Sequence, residues 1–280
     1  LKKTGAEIFV PDSKSVEEAI GRTTHMAIAA HQDDIEIMAY HGILECFGRN
    51  DKWFLGVVVT NGAGSPRNGL YAHYTDEEMQ RIRKLEQKKA AYAGEYGAVA
   101  LMDYTSSEVK NPKNTEVVGE LKELIATAKP GVIYAHNLAD RHDTHVATSL
   151  RVIQALRELP MEIRPEKLYG CEVWRGLDWL GGEDKVMFNV EEHPNIAAAI
   201  LGVHDSQICG GKRYDLATAG RRCANATYAE SHGTDASSAI IYGMDLTPLI
   251  RDVNSDINEY INSYINRFRS DVSDRLKRLI

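Results

Sequence analysis

A rhythm limits what this chain can fold into. Short apolar runs, each followed by a polar cluster, alternate with stretches of helical spacing. Thr24–Ala30, Trp53–Val59, Ala98–Met102 and Val132–Ala135 are apolar runs of strand length. Each is bounded by polar or glycine-bearing segments, so they read as buried strands. Between them, Ile35 to Phe47 carries Ile35, Met38, Ile43 and Phe47 at roughly helical spacing. Thr75 with Glu78 predicts a capping box that opens a long helix through Tyr96. Val117–Ala128 predicts a helix stopped by Pro130, and another starts near Asp143 or Thr144 with Val146, Leu150 and Ile153 as its core stripe. Leu168–Trp174 and Val186–Val190 are further strand candidates, and Ile196–Val203 is a further helix. This alternation predicts an α/β fold: a Rossmann-like three-layer sandwich, with a mostly parallel sheet and helices on both faces.

No internal repeat and no linker rich in Gly, Pro or Ser divides the 280 residues, so a single domain is expected over 1–280. The tail differs from the rest. From about residue 249 to 280 it predicts a long C-terminal helix, with Ile250, Val253, Ile257, Ile261, Tyr264, Phe268 and Val272 on one side. That stripe covers the chain's own sheet or forms a subunit interface in a homo-oligomer.

In a parallel sheet, segments that follow strands gather on one edge, where ligands bind. Three polar clusters do so here: His31-Gln32-Asp33-Asp34-Ile35-Glu36, the glycine-rich loop from Asn61 to Tyr74, and the stretch from His136 to His145. The first and third hold histidines and carboxylates of the kind that bind zinc while leaving a position open for water. Two histidines and a carboxylate equally suit Fe(II). The adjacent Asp33 and Asp34 invite a division of labour, one on the metal and one handling protons. Each feature also has a structural reading, as a strand-end histidine, an Asp-Asp N-cap or a solvated helix face.

Composition narrows the alternatives. A net charge of -7 disfavours nucleic acid, whose backbone selects clustered cations. No stretch reaches the roughly 18 apolar residues of a membrane helix. The N-terminus LKKTGAEIFVPDSKS has no apolar run behind its lysines, so no signal peptide is expected there. Cys46, Cys171, Cys209 and Cys223 form no C-x-x-C pair, and a reduced, cytoplasmic setting is expected. Gly62-Ala63-Gly64-Ser65-Pro66-Arg67 starts like a nucleotide-binding loop, but Arg67 stands where the third glycine belongs. A nucleotide-cofactor protein is therefore the weaker alternative, beside a metal-dependent hydrolase of another bond such as a phosphoester.

These residues resemble the PIG-L (LmbE-like) family of N-acetyl-sugar deacetylases. Ala30-His31-Gln32-Asp33-Asp34-Ile35-Glu36 matches the family's A-H-P-D-D-x-E except at Gln32. His142-Asp143-Thr144-His145 matches H-P-D-H at its histidines only. Arg83, Glu86 and Ala90 fit R-x-x-E-x-x-x-A, and His204-Asp205-Ser206-Gln207 fits H-x-S-Q. The resemblance runs from about 24 to 207. It implies zinc on His31, Asp34 and His145, Asp33 as general base, His142 at the substrate carbonyl, and Arg83 binding the sugar. The implied substrate is a small N-acetylated sugar or its conjugate. Asn61, Arg67 and Tyr71, on the glycine-rich loop, are expected to border it. Thr144 stands where the family has the aspartate that supports the first histidine of the pair, so Asp140 or Asp143 is expected to take over as the partner of His142.

Overall fold

The apolar runs become neighbouring strands because each has alternate side chains to bury on two faces. Met26 and Ile28 enter one core while Ala27 and Ala29 enter the other. Leu55, Val57 and Val59 oppose Phe54 and Val58 in the same way. Burial on both faces is what a parallel sheet covered by helices requires. The computed structural model describes all 280 residues. Its strands are β1 (Glu7–Phe9), β2 (His25–Ala29), β3 (Phe54–Thr60), β4 (Ala98–Tyr104), β5 (Val132–His136), β6 (Lys167–Cys171), β7 (Lys185–Asn189) and β8 (Ile240–Asp245). They form one sheet in the order β1-β4-β3-β2-β5-β6-β8-β7. The run from β4 to β6 is parallel, and β1, β8 and β7 are antiparallel additions at the two edges.

The helices are α1 (Val16–Gly21), α2 (Asp34–Met38), α3 (Tyr40–Cys46), α4 (Asp76–Ala93), α5 (Ser106–Lys110), α6 (Thr115–Ala128), α7 (Asp143–Arg157), α8 (Pro194–Gly202), α9 (Asp205–Ile208), α10 (Tyr214–Thr227), α11 (Pro248–Arg251) and α12 (Ile257–Leu279). The capping box at Thr75 and Glu78 is present at the start of α4. The expected helix from Ile35 to Phe47 is two helices, interrupted at Ala39. The tail divides as well. Ile257, Tyr260, Ile261 and Tyr264 pack on the core, whereas Phe268 and Leu276 are exposed. No helix is long and apolar enough to cross a membrane.

Strand order fixes the place of a site. The chain steps outward from β2 to β3 to β4, and then resumes on the other side of β2 with β5 and β6. β2 and β5 therefore flank the point where the winding reverses, and loops leaving their carboxyl ends part to leave a crevice. His31 and Asp34 leave β2, and His145 follows β5.

Candidate active site

Asp34 is the first residue of α2, and the residue capping that helix, Asp33, sits at φ 83°. This left-handed conformation is uncommon for a residue with a side chain, and it persists because the surroundings fix both aspartates. The Asp33 amide donates to Gln87 Oε1 at 3.3 Å, and Arg83 Nη2 lies 3.4 Å from Asp33 Oδ2. The turn sends Asp34 back towards His31, whose own amide donates to Asp34 Oδ2 at 2.8 Å.

Three donor atoms meet there. His31 Nδ1 is 3.2 Å from Asp34 Oδ2 and 3.2 Å from His145 Nε2, and His145 Nε2 is 3.3 Å from Asp34 Oδ2. Bonds of about 2.0–2.1 Å to a tetrahedral zinc put ligand atoms about 3.3–3.4 Å apart, so the triangle fits such an ion. Charge points the same way. Burial works against a proton on His145, yet Asp34 on one side and Asp140 on the other raise its pKa to about 10. Burial likewise opposes ionisation of Asp34, and the histidines around it hold its carboxyl well below the usual range. The pocket is thus built to enclose positive charge, which a divalent cation would supply with both imidazoles neutral.

Asp140 carries this argument one shell outward. Its Oδ2 lies 3.4 Å from His145 Nδ1 and accepts from the Val173 amide at 2.9 Å, while Oδ1 accepts from the His142 amide at 3.0 Å. A carboxylate behind a ligand histidine fixes the ring's tautomer and orientation. His136, the last residue of β5, stacks on the His145 ring at 3.9 Å, and its Nε2 accepts from the Ala30 amide at 2.9 Å. His136, Asp140 and His145 also lie close enough to suggest a second metal. His145 is shared with the first triangle, and neither His136 nor Asp140 lines the cavity, so the first triangle is the one that opens onto it.

The expected partner for His142 is not found. Asp140 is turned beneath His145, Asp143 is exposed, and His142 Nδ1 is buried without a hydrogen-bond partner. The reason is positional. Asp140 ends in the turn that closes onto Val173, which draws its carboxylate under the helix rather than towards His142. Burial, with His145 and His31 nearby, lowers the His142 pKa. The ring still belongs to the site, edge-on to His31 at 5.1 Å between centroids.

The residues in the remaining motifs brace the site. Glu36 is fully buried, accepting from Gln87 Nε2 at 2.8 Å, the Tyr96 hydroxyl at 2.6 Å and His204 Nε2 at 3.1 Å. Glu86 accepts from the Ser206 amide and hydroxyl at 2.6 and 2.7 Å. These bonds tie α2, α4 and α9 together under Asp33. Arg83 donates to Ser65 Oγ at 2.9 Å and to the Gln32 carbonyl. Burial raises the Asp33 carboxyl to about 7, with Arg83 opposing the rise and Asp34 adding to it.

The triad and Asp33 floor a cavity of about 480 Å³. Asn61, Arg83 and His142 line it, as expected. Arg67 and Tyr71 do not. Arg67 donates to the Ala63 carbonyl and pairs with Asp76, and the Tyr71 hydroxyl donates to Asp205 at 2.6 Å. The loop divides at Pro66: its first half faces the cavity and its second half is braced against α4 and α9. Lys110, Trp174, Gln207, Lys212 and Tyr214 also line the cavity and went unnamed as site residues. Trp174 had a signal, as the aromatic that ends a predicted strand. Lys110 had none, because it lies far from every motif, and Lys212 follows the His204–Gln207 motif without being part of it.

Fold and site together define an α/β protein with a candidate mononuclear metal centre at the reversal point of its sheet. Residues 26–156, just under half of the chain, match the family model for PIG-L, GlcNAc-PI de-N-acetylase. No curated protein matches the sequence. Among solved structures, it is similar to N,N'-diacetylchitobiose deacetylase from Pyrococcus horikoshii, with a TM-score of 0.64 at 13% identity over 84% of this chain and 88% of that one. It is similar to GalB, the 4-carboxy-2-hydroxymuconate hydratase from Pseudomonas putida, at 0.61 and 15% over 84% and 99%. A zinc-inhibited form of teicoplanin deacetylase Orf2 is matched at 0.59 and 14% over 80% and 97%. At these identities the likeness is one of fold.

Proposed function

We propose that this chain is a zinc-dependent hydrolase that removes the acetyl group from the nitrogen of an amino sugar or its conjugate. One observation carries the reading: a triangle of three donors beside the buried carboxylate of Asp33, at the floor of a cavity of sugar size. The PIG-L match over 26–156 supports it. Two of the similar folds belong to proteins named as deacetylases, and a third belongs to a hydratase, so the fold alone does not select the reaction.

His31, Asp34 and His145 would hold the zinc, which supplies Lewis acidity and a water of lowered pKa. Asp33 takes the proton of the attacking water. The carbonyl oxygen gains charge as the new C–O bond forms, and His142, from the cavity side, donates to it. Asp33 then returns its proton to the nitrogen as the C–N bond breaks, leaving acetate and a free amine. Arg83 keeps the Asp33 carboxylate in place through its own contacts to Gln32 and Ser65.

The test is acetate release from a panel of N-acetylated sugars and conjugates, using protein loaded with zinc and protein stripped by a chelator. Zinc-dependent release from at least one member is expected. Release that is unaffected by stripping, or release from none while simple phosphoesters are cleaved, would overturn the reading.

A further inference from the structure

Behind the metal cavity, α10 turns a face of hydrogen-bond donors towards the interior. Thr218, Arg221, Arg222 and Asn225 stand at i, i+3, i+4 and i+7, the spacing of one helix face. Such a face is ordinarily apolar when it packs on a core. Here Thr218 and Arg222 are each only 6% exposed, with Arg221 and Asn225 half-buried beside them. All four line a second cavity of about 30 Å³, and Arg175 joins them from the segment after β6. By volume this hollow takes about two waters or one halide ion, and not a sugar.

Three guanidiniums thus share one small cavity, and none of them forms an ion pair with a carboxylate. Arg222 donates to the Glu36 carbonyl at 2.6 Å and the Ile37 carbonyl at 3.4 Å, and its Nε is buried with no partner. Burial lowers its pKa to about 10. Arg221 Nη1 donates to the carbonyls of Val173 at 2.5 Å and Arg175 at 3.3 Å. Arg175 is exposed, and its side chain makes no hydrogen bond. The single carboxyl among the lining residues is Glu172. Its two oxygens already accept from the Leu177 amide at 2.6 Å and Trp179 Nε1 at 3.1 Å, and burial raises its pKa to about 7. Three cations against one partly ionised carboxyl leave the hollow positive. Positive charge held away from water is costly until an anion meets it.

We propose that this second cavity binds a small monovalent anion of the halide class, held by Arg175, Arg221 and Arg222 with the Thr218 hydroxyl. Its position gives the ion a structural task. Ile37 lines both cavities. Arg222 holds the last carbonyls of α2, the helix that begins at Asp34, and Arg221 holds the carbonyl of Val173, which lines the metal cavity beside Trp174. An anion drawn in among the three guanidiniums clamps α10, the end of α2 and the segment after β6 to one another. It therefore stabilises the wall that the two cavities share. The inference is independent of which reaction the metal cavity performs.

Thermal unfolding of the full chain tests it. Chloride or bromide replaces gluconate at constant ionic strength, so that general screening stays fixed. Tm should begin to rise once the halide exceeds its Kd, and should go on rising with the logarithm of concentration. Arg175→Gln removes an exposed side chain with no internal bond, so the variant should fold normally. In it the onset of the rise should move to about tenfold higher halide, the size of a lost charge-assisted contact. Arg221→Gln should move the onset in the same direction, and the remote Arg269→Gln should leave it in place. Crystals grown in bromide should show the anomalous signal of the ion among the three arginines. A Tm that ignores the exchange of gluconate for halide overturns the proposal. So does a rise unchanged in both Arg175→Gln and Arg221→Gln, or a bromide signal found only elsewhere.

Discussion

The floor and the mouth of one cavity follow different rules. At the floor, three donors form a triangle with sides of 3.2, 3.2 and 3.3 Å, and buried groups brace them from behind. At the mouth, exposed lysines and an aromatic wall have no protein partner that fixes their polar atoms. A floor that is over-determined performs one kind of chemistry on whatever reaches it. A mouth with open valences is where a particular substrate is chosen. Mutations at the floor should therefore damage turnover or metal binding, and those at the mouth should alter affinity and preference.

The largest expected effect separates these rules most sharply. Asp33→Asn keeps the size of the side chain and leaves the donor triangle untouched, but an amide cannot take the water's proton. Turnover should fall by about 10²–10⁴-fold, the usual cost of losing a general base, with metal content unchanged. Near-normal turnover with metal retained would remove Asp33 from the chemistry. Next is Asp140→Asn. Asp140 touches no metal position, yet it stands behind His145 at 3.4 Å. Loss of such a carboxylate commonly costs about 10–100-fold in metal affinity, and competition with a chromogenic chelator would measure it. If affinity is unchanged while activity at saturating metal falls, Asp140 acts on the reaction and not on His145.

Glu172, just past β6, lies outside this cavity but behind one of its walls. It accepts from the Leu177 amide at 2.6 Å and from Trp179 Nε1 at 3.1 Å, and so shapes the segment behind Trp174. Burial raises its pKa from 4.5 to about 7, partly offset by those two bonds. The folded state therefore holds this proton more tightly than the unfolded one. Its contribution to stability is fully present below pH 4.5 and is lost as pH rises towards 7, with a slope of at most about 1.4 kcal/mol per pH unit. Glu172→Gln can accept only one of the two bonds but cannot ionise. Urea melts from pH 5 to 8 should show the variant weaker than the parent at low pH, with the gap closing as pH rises. A gap constant across that range would mean Glu172 does not titrate there.

The floor was largely legible in the sequence and the mouth was not. Strand–helix alternation places segments after β2 and β5 on one edge, and the motif around His31 supplies most of the donors. The same logic failed for the orientation of single carboxylates. Asp140 was considered as a partner for His142, but only the closure of its turn onto Val173 directs it to His145. Elements with weak apolar patterning were also missed. α10 buries Thr218, Arg222 and Ala226 at every fourth position, a helical face without large hydrophobic residues. Arg222 is there to donate to the Glu36 carbonyl at 2.6 Å, an interaction no periodicity announces. β8 contains a glycine, Gly243, because Phe188 packs where its side chain would be.

The smallest effects concern the glycine-rich loop, where the division between floor and mouth can be tested within a few residues. The sequence treats Asn61, Arg67 and Tyr71 alike, as polar or aromatic residues on a loop at the binding edge. The structure separates them. Asn61 lines the cavity and its Oδ1 also accepts from the Ala63 amide at 3.2 Å, which shapes the first half of the loop. Arg67 reaches the other way, to Ala63 and Asp76, and its ion pair with Asp76 is with a largely exposed carboxylate. Exposed pairs contribute about 0–1 kcal/mol, so breaking this one should do little to the loop. Tyr71 is buried, and its hydroxyl is engaged by Asp205, away from the cavity. Asn61→Ala should therefore raise KM several-fold, on the order of one lost hydrogen bond, with kcat nearly unchanged. Arg67→Ala and Tyr71→Phe should leave KM within about twofold, as expected for groups that make no substrate contact. A large rise in KM for Arg67→Ala would show that the second half of the loop swings over the substrate when it binds. The mouth would then be assembled by the ligand rather than waiting for it.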